Sequence, residues 1–345
     1  MRRTAYLIST AILPFIAVQA FADNFILTVG PSSQYRTVTD AVNAANADTN
    51  PSNYYTIDVS PGTYKDDTPT VMRPMTIINS NYSAGQKVVL QATKNVANKK
   101  GIIVTFASLT VDGLTLTGAK TLNGSGGNAA GIRDENQDNP GTLVVRNSIF
   151  VANQQGILTD GNPAETISIT NSKFINNGNG TIHGGSPFCC QHGIYISIAS
   201  SLSVTGSMFC GQLVGHDIKS RALLTNISNN VLFDAAVPST NPDGCNAGST
   251  SFAIDAPNGG DLTISGNTIT QGPKTASSVM VAYGEEGLKY NSNSVSVSTN
   301  MFTSTGVSNS IGIYDPPCIP VSLAADNTFA GVTTPVSPAQ CAVTQ

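Results

Sequence analysis

Only 11% of this 345-residue chain is Asp, Glu, Lys or Arg, so a place where charge gathers invites a chemical reading. The stretch GHDIKSRALL holds Lys219 and Arg221 two residues apart, the spacing of neighbours on one face of a strand. A recurring small-then-Ile start aligns further stretches with it: GIRDE from Gly131, GILTD from Gly156, GIYIS from Gly193, AIDAP from Ala253 and GIYDP from Gly312. If each Ile points inward, the residue after it points outward. The outward column is then Arg133, Leu158, Tyr195, Lys219, Asp255 and Tyr314. Two residues further on runs a parallel column of Glu135, Asp160, Ser197, Arg221, Pro257 and Pro316. Coils stacked about 4.8 Å apart would make Tyr195, Lys219 and Asp255 direct neighbours.

Such a surface suits an acidic polysaccharide. Aromatic faces stack on sugar rings, and Lys and Arg pair with uronate carboxylates. A lysine whose pKa is lowered by burial or by a neighbouring cation can take the proton α to that carboxylate. Arg221 or a calcium ion would stabilise the enolate. Lys219 and Arg221 are therefore the catalytic candidates, with Tyr195, Asp255, Arg133, Tyr314 and His192 as substrate contacts. His192 precedes GIYIS and would overlook the column, whereas His216 shares strand parity with Ile218 and would point inward. Glu285-Glu286 offers carboxylates for calcium, or a solvated turn. The plainer account of the column is an ordinary solvated solenoid face, where a Lys–Asp pair is worth little. Asp255 also opposes any lowering of the Lys219 pKa.

The element that must carry these side chains is a repeat. Apolar-x-apolar-x-(Asn/Gly)-(Ser/Asn)-x-(Phe/Ile/Leu) recurs as LVVRNSIF from Leu143, ISITNSKF from Ile167, LSVTGSMF from Leu202, LTISGNTI from Leu262 and VSVSTNMF from Val295. Weaker copies start at Leu109, Thr225 and Val321, and successive starts differ by 23 to 37 residues. The alternation is that of a strand with one buried face. The fifth place suits a left-handed residue, and stacked Asn side chains can bond from coil to coil. These features predict a right-handed parallel β-helix over residues 23–345 as a single domain, with extra loops in the longer coils. The insertions Gly178–Gly185 and Ala235–Ser251 are expected to wall a groove over Lys219.

A solenoid needs a cover on its open end. Thr37 as N-cap, Asp40 at the third helical position, and Val38, Ala41, Val42 and Ala45 at helical spacing predict a capping helix over Thr37–Ala47. Strands at Phe25–Val29, Thr56–Val59 and Met75–Asn79 surround it, with a turn at Pro61-Gly62. Before it, residues 1–22 read as a signal peptide: Arg2 and Arg3, an apolar stretch Ala5–Val18, and an Ala20-Phe21-Ala22 cleavage site. Export to the periplasm or beyond fits the six cysteines, an even count suited to disulfides. Cys318 and Cys341 are one short coil apart and are expected to pair. Cys189 and Cys190 are expected to pair with Cys210 and Cys245. A net charge of −4 and a pI near 5.3 speak against nucleic acid as a partner. No segment after the leader is long and apolar enough to span a membrane, and nothing in the sequence sets an oligomeric state.

TVGPSSQYRTVTDAVNAAN followed by IDVSPGTYKD resembles the opening of the pectin-lyase-like superfamily, pectinesterases included. The resemblance implies the β-helix for nearly the whole mature chain. Several activities of that superfamily leave marks that this sequence lacks: Q-D-T-L and D-F-I-F-G of pectinesterases, the D-D pair and G-H-G of polygalacturonases, R-x-P-x-x-R of pectate lyases and D-P-H-D of mannuronan epimerases. Ile218-Lys219-Ser220 with the Asn226–Asn230 bend resembles the V-K-S rung of the chondroitinase B and alginate lyase family. That resemblance implies Lys219 as Brønsted base with calcium on the uronate carboxylate. The next rung departs from it, with Asp255-Ala256-Pro257 where the family has R-H-G, so Arg221 would have to stand in for the acid. Two functions follow as expectations: a lyase or epimerase acting on a uronate-containing polysaccharide, or a non-catalytic β-helix that binds polysaccharide or serves the cell envelope.

Overall fold

The computed structural model describes residues 23–121, 128–178, 191–234, 241, 243–339, 341 and 343–344. They form a right-handed parallel β-helix of three stacked sheets. The first sheet stacks Gly101–Thr105, Ala130–Asp134, Gln155–Thr159, the openings of the long strands Ile194–Thr205 and His216–Ser228, then Phe252–Ala256, Val279–Tyr283, Ile311–Tyr314 and Thr334–Ser337. The two long strands turn the corner unbroken, and their closing halves join the second sheet between Asn162–Thr170 and Asp261–Ser265. The third sheet carries Ile149–Val151, Lys173–Ile175, Met208–Cys210 and their counterparts. The motif read from the sequence is thus a second-sheet strand, a bend and a third-sheet strand.

The bend has the expected geometry. Its fifth place is left-handed at Gly113, Asn147, Asn171, Gly206, Asn229, Gly266 and Thr299, with φ between 49° and 73°. Thr299 is the unexpected member, because a branched side chain disfavours that region. Asp326 holds it there, accepting from the Thr299 amide at 2.8 Å and its hydroxyl at 3.2 Å. The sixth place carries a continuous ladder. The amides of Ser148, Ser172, Ser207, Asn230, Asn267 and Asn300 each donate to the side-chain oxygen one coil on, ending at Asn327, over 2.8–3.2 Å.

Inside, the third sheet stacks Phe150, Phe174 and Phe209 with ring centroids 4.8 and 4.7 Å apart, the coil spacing itself. These rings explain the glycine before Ile132, Ile157 and Ile194. A Cβ on Gly156 would lie 2.7 Å from Phe174 Cδ1 and 2.3 Å from the Gly193 carbonyl oxygen.

Helix α1 (Val38–Asn46) packs on Asn24–Val29, Tyr54–Val59 and Thr70–Val71 with Val38, Ala41, Val42 and Ala45 fully buried. Thr37 caps it as expected, accepting from the Asp40 amide at 3.0 Å. Asp67 adds a charge-assisted cap on the amides of Val38 and Thr39, at 2.6 and 3.0 Å, and favours the positive end of the helix dipole. At the other end Arg73 donates to the carbonyls of Ala45, Asp48, Asn50 and Asn53.

Two disulfides are present among the described residues, Cys318–Cys341 as expected and Cys210–Cys245. The second corrects the expectation that Cys210 and Cys245 take Cys189 and Cys190 as partners. Cys210 closes a third-sheet strand, and Asn176 holds the Cys245 segment beside it by accepting from the Asn246 amide at 2.8 Å and donating to the Gly244 carbonyl at 2.9 Å. Cys189, Cys190 and the leader 1–22 lie outside the described residues. Among the described residues, no helix is long and apolar enough to cross a membrane.

Carboxyl groups are also enclosed in pairs. Asp134 neighbours Glu165, and Asp217 neighbours Asp234, all buried. Burial, then the neighbouring carboxylate, pushes Asp134 up to about 9. Burial pushes Asp234 up to about 7 and Asp217 up as well. The Asp134–Glu165 pair keeps a proton at neutral pH.

Candidate functional site

Register places Tyr195, Lys219 and Asp255 side by side on consecutive coils of the first sheet, as the sequence predicts. Arg133 stands three coils before Lys219 in the same column, through Leu158 and Tyr195. Tyr314 is further from Asp255 than the alignment gave. The strand Val279–Tyr283 intervenes, so Ala282 is the neighbour of both. That strand, VMVAY, has Val in place of the Ile that marks the others, and the small-then-Ile pattern passes over it. A bulge between Ile196 and Ile198 sets Arg221 opposite Ile198 rather than Ser197.

The column faces outward, yet its centre is covered. Lys219 is 7% exposed and Asp255 0%. The cover is the segment after Val279–Tyr283. Glu286 of this segment donates its amide to the Pro257 carbonyl at 3.0 Å, Lys289 to Asn258 at 2.9 Å, and the Tyr290 hydroxyl to the Arg221 carbonyl. Of the expected walls, residues 179–185, 235–240 and 242 lie outside the described residues. The expectation for the rest of 235–251 is corrected: Asp243 pairs with Lys173 at 2.8 Å and Cys245 is bonded to Cys210, which sets this part of the segment beside the third sheet and not over Lys219.

Beneath this cover the charges pair off. Lys219 Nζ lies 2.6 Å from Asp255 Oδ2 and 3.2 Å from Glu286 Oε1. Arg221 Nη2 lies 2.7 Å from Glu286 Oε2, its Nε donates to the Tyr195 hydroxyl at 3.0 Å, and its Nη1 donates to Asn258. Burial pulls the Lys219 pKa down, but Asp255 and Glu286 outweigh it and hold the ammonium above its usual range. Burial raises Glu286, yet Arg221 and Lys219 bring it below the usual carboxylate range.

Glu285 behaves in the opposite way. Burial, and then the adjacent Asp255 carboxylate, push it up to about 8. Its Oε2 and Asp255 Oδ1 are both buried without a donor. A proton held by Glu285 and shared with Asp255 satisfies both oxygens. The result is an acid and a carboxylate in contact, the arrangement in which two carboxyls keep a single charge.

Three rings flank the pair. His192 stacks on His216, and His216 on Phe252, with centroids 4.8 Å apart in each step, while Tyr195 meets His192 edge-on. The expectation that His216 points inward is corrected: its Nε2 is 3.2 Å from Asp255 Oδ2, on the outer side. Burial brings His192 down to about 3 and His216 well down too. His192 Nδ1 accepts from the His216 amide at 3.0 Å. Both rings are neutral at neutral pH, so His216 stands beside Asp255 without carrying charge. Glu285, Glu286, His216, Asn258, Phe252 and Tyr290 thus join the site. Of these, only the adjacent glutamates had been marked by sequence as a possible site, and for calcium.

Calcium does not fit the glutamates as they stand. Glu286 is claimed by two cations and Glu285 holds a proton. Among the described residues, no three His, Cys, Asp or Glu side chains stand together to hold a metal ion.

No protein-family model matches this chain, and no curated protein does. Two solved structures of the pectin methylesterase from Aspergillus niger are similar to it, in deglycosylated and penultimately deglycosylated form. Each is 12% identical and matches over 81% of this chain and 86% of that chain, with TM-scores of 0.42 and 0.43 respectively.

Proposed function

We propose that this protein engages a uronate-containing polysaccharide along its first sheet, and that binding rather than turnover is its function. The observation that carries this reading is the state of Lys219. An ammonium held by Asp255 and Glu286 and kept above its usual pKa is a poor proton acceptor, because general-base catalysis needs the neutral amine at working pH. What the face offers a sugar polymer is Tyr195, half-buried under the Arg221 guanidinium 5.8 Å from its ring centre, together with the Arg221–Glu286 pair at the surface. Aromatic faces and guanidinium groups are the groups that recognise pyranose rings and carboxylates. Two disulfides support an oxidising, exported setting, periplasmic or secreted.

The lyase or epimerase reading keeps one specific support, the Asp255–Glu285 pair. An acid at about 8 beside a carboxylate has the proton poise that acid–base chemistry uses near neutral pH. In that reading the proton moves through this pair, and Lys219 serves as the cation.

One experiment separates the readings. The protein is incubated with alginate, polygalacturonate, glucuronan and glycosaminoglycans. Absorbance reports unsaturated product and NMR reports epimers, while calorimetry reports binding, with and without added calcium and with a chelator. Binding without turnover, weakened by Arg221→Gln and Tyr195→Ala, is the expected result. Unsaturated or epimerised product lost in Glu285→Gln would establish the enzyme instead. Absence of binding to every polymer would remove the carbohydrate reading.

A further inference from the structure

Three coils before Lys219, the same outward column passes a second charged cluster. Lys100 Nζ lies 2.6 Å from Glu135 Oε2, and Arg133 Nε lies 2.5 Å from Glu135 Oε1. A glutamate bridging a lysine and an arginine repeats what Glu286 does between Lys219 and Arg221. The two clusters differ in charge balance. Beside the Lys100–Glu135–Arg133 cluster stands Lys99, exposed and without an ion-pair partner among the described residues, so Glu135 is shared by two cations and the third is left free. At the Lys219–Arg221 cluster, Asp255 and Glu286 neutralise both cations.

Asn98, Lys99, Lys100, Asn128 and Arg133 line an open cavity of about 390 Å³. The loop is built to hold Lys99 there. The Asn98 side chain accepts from the amides of Lys100 and Gly101 at 2.9 and 3.0 Å and donates to the Gly101 carbonyl at 2.9 Å. Lys99 itself sits at φ 60°, in the left-handed region that costs a long side chain free energy and suits glycine. Strained backbone of this kind is found where a side chain has to be presented.

We propose that the cavity at Lys99, Lys100 and Arg133 is an anion subsite for a saccharide carboxylate, and that the polymer runs from it along the helix axis to Lys219 and Arg221. The inference rests on the polysaccharide reading and adds the position of a second seat and the path of the chain. Three coils separate the seats by about 14 Å. A pyranose ring advances an extended chain by close to one coil spacing, so successive rings can register with successive coils and about four rings join the seats. Tyr195 lies between the seats, beside Lys219, and offers a ring to the passing sugar.

Calorimetry with a uronate disaccharide and a uronate hexasaccharide tests this, using the intact protein, Lys99→Gly and Arg221→Gln. Lys99→Gly removes the cation and relaxes the backbone, so its thermal stability should match or exceed that of the parent. The hexasaccharide should bind more tightly than the disaccharide. It should lose about tenfold in affinity in each variant, the value of one charge-assisted contact. A neutral hexasaccharide should bind weakly to all three proteins. Hexasaccharide binding weakened by Arg221→Gln and untouched by Lys99→Gly would overturn the second seat while leaving the polysaccharide reading in place. No binding of either uronate oligomer to the intact protein would overturn the reading itself. A neutral hexasaccharide bound as tightly as the acidic one would overturn the anion assignment.

Discussion

Lys219 Nζ and Asp255 Oδ2 meet at 2.6 Å across adjacent coils, with Asp255 wholly shut off from solvent. The contact joins two strands whose pairing the register fixes, so neither side chain can withdraw without exposing the other. Lys219→Ala leaves Asp255 buried with its main cation gone and should cost about 3–5 kcal/mol. Lys219→Met combined with Asp255→Leu removes both charges and should recover most of that loss. Urea titrations of the three proteins read the difference. A stable Lys219→Ala protein that has lost only saccharide binding would show instead that the lysine serves ligand and not fold.

Stability should peak in mildly acidic solution. Asp134, Asp234 and Glu285 have folded pKa values raised to about 9, 7 and 8. The folded state therefore holds protons that the unfolded chain has released, and stability falls as pH rises from about 4 towards 9. His192 works from the other side. Its folded value of about 3 means that the unfolded chain takes up a proton first below about 6.5, which blunts the gain on acidification. One ring against three carboxyls does not reverse it, so stability turns down only below about 4. Denaturant midpoints measured across this range should form a dome. A midpoint still rising past neutral pH would show that the carboxyl pairs are ionised in the fold.

The side-chain ladder should be expensive to interrupt. Asn267 donates to Ile227, Ser265 and Asn300 and accepts from Asn230, all inside the bend. Asn267→Ala strands several of these groups and should cost about 2–4 kcal/mol, at roughly 1 kcal/mol for each bond lost. Thermal unfolding checks this. A change within a few tenths of a kcal/mol would mean that the backbone alone holds the bend.

Gly156 should not tolerate a methyl group. A Cβ there meets Phe174 and the Gly193 carbonyl, and overpacking of this kind costs about 1–3 kcal/mol. Gly156→Ala should lower the melting temperature. An unchanged melting temperature would mean that the Phe stack can slide.

Much of this architecture is legible in the sequence because the coil writes its own period. Asn147 and Asn171 mark the left-handed bend directly, and Val38, Ala41, Val42 and Ala45 mark the cap. The column of Tyr195, Lys219 and Asp255 follows from one assumption, that the shared Ile faces inward. Legibility fails where a feature depends on what covers a strand rather than on the strand. Lys219 reads as solvent-facing, and only the packing of Glu285, Glu286 and Tyr290 over it makes it a buried ion pair. Tyr314 is misplaced by one coil because Val281 fills the inward seat as well as Ile does. His216 reads as inward by parity, but its ring stacks between His192 and Phe252 on the outer side.

The coil-by-coil pairing also sets how the molecule would respond to force. Each coil bonds only to the coil on either side, so a pull on the chain ends should peel rungs in succession from whichever end yields first. Successive motif starts lie 23 to 37 residues apart, and each released rung lengthens the chain by roughly 80–130 Å. The extension steps would therefore be uneven, the long ones reporting coils with insertions. The loops closed by Cys210–Cys245 and Cys318–Cys341 would stay hidden from that record until reductant is added. The longer and the shorter increment added on reduction would mark where along the trace the Cys210–Cys245 and Cys318–Cys341 staples lie.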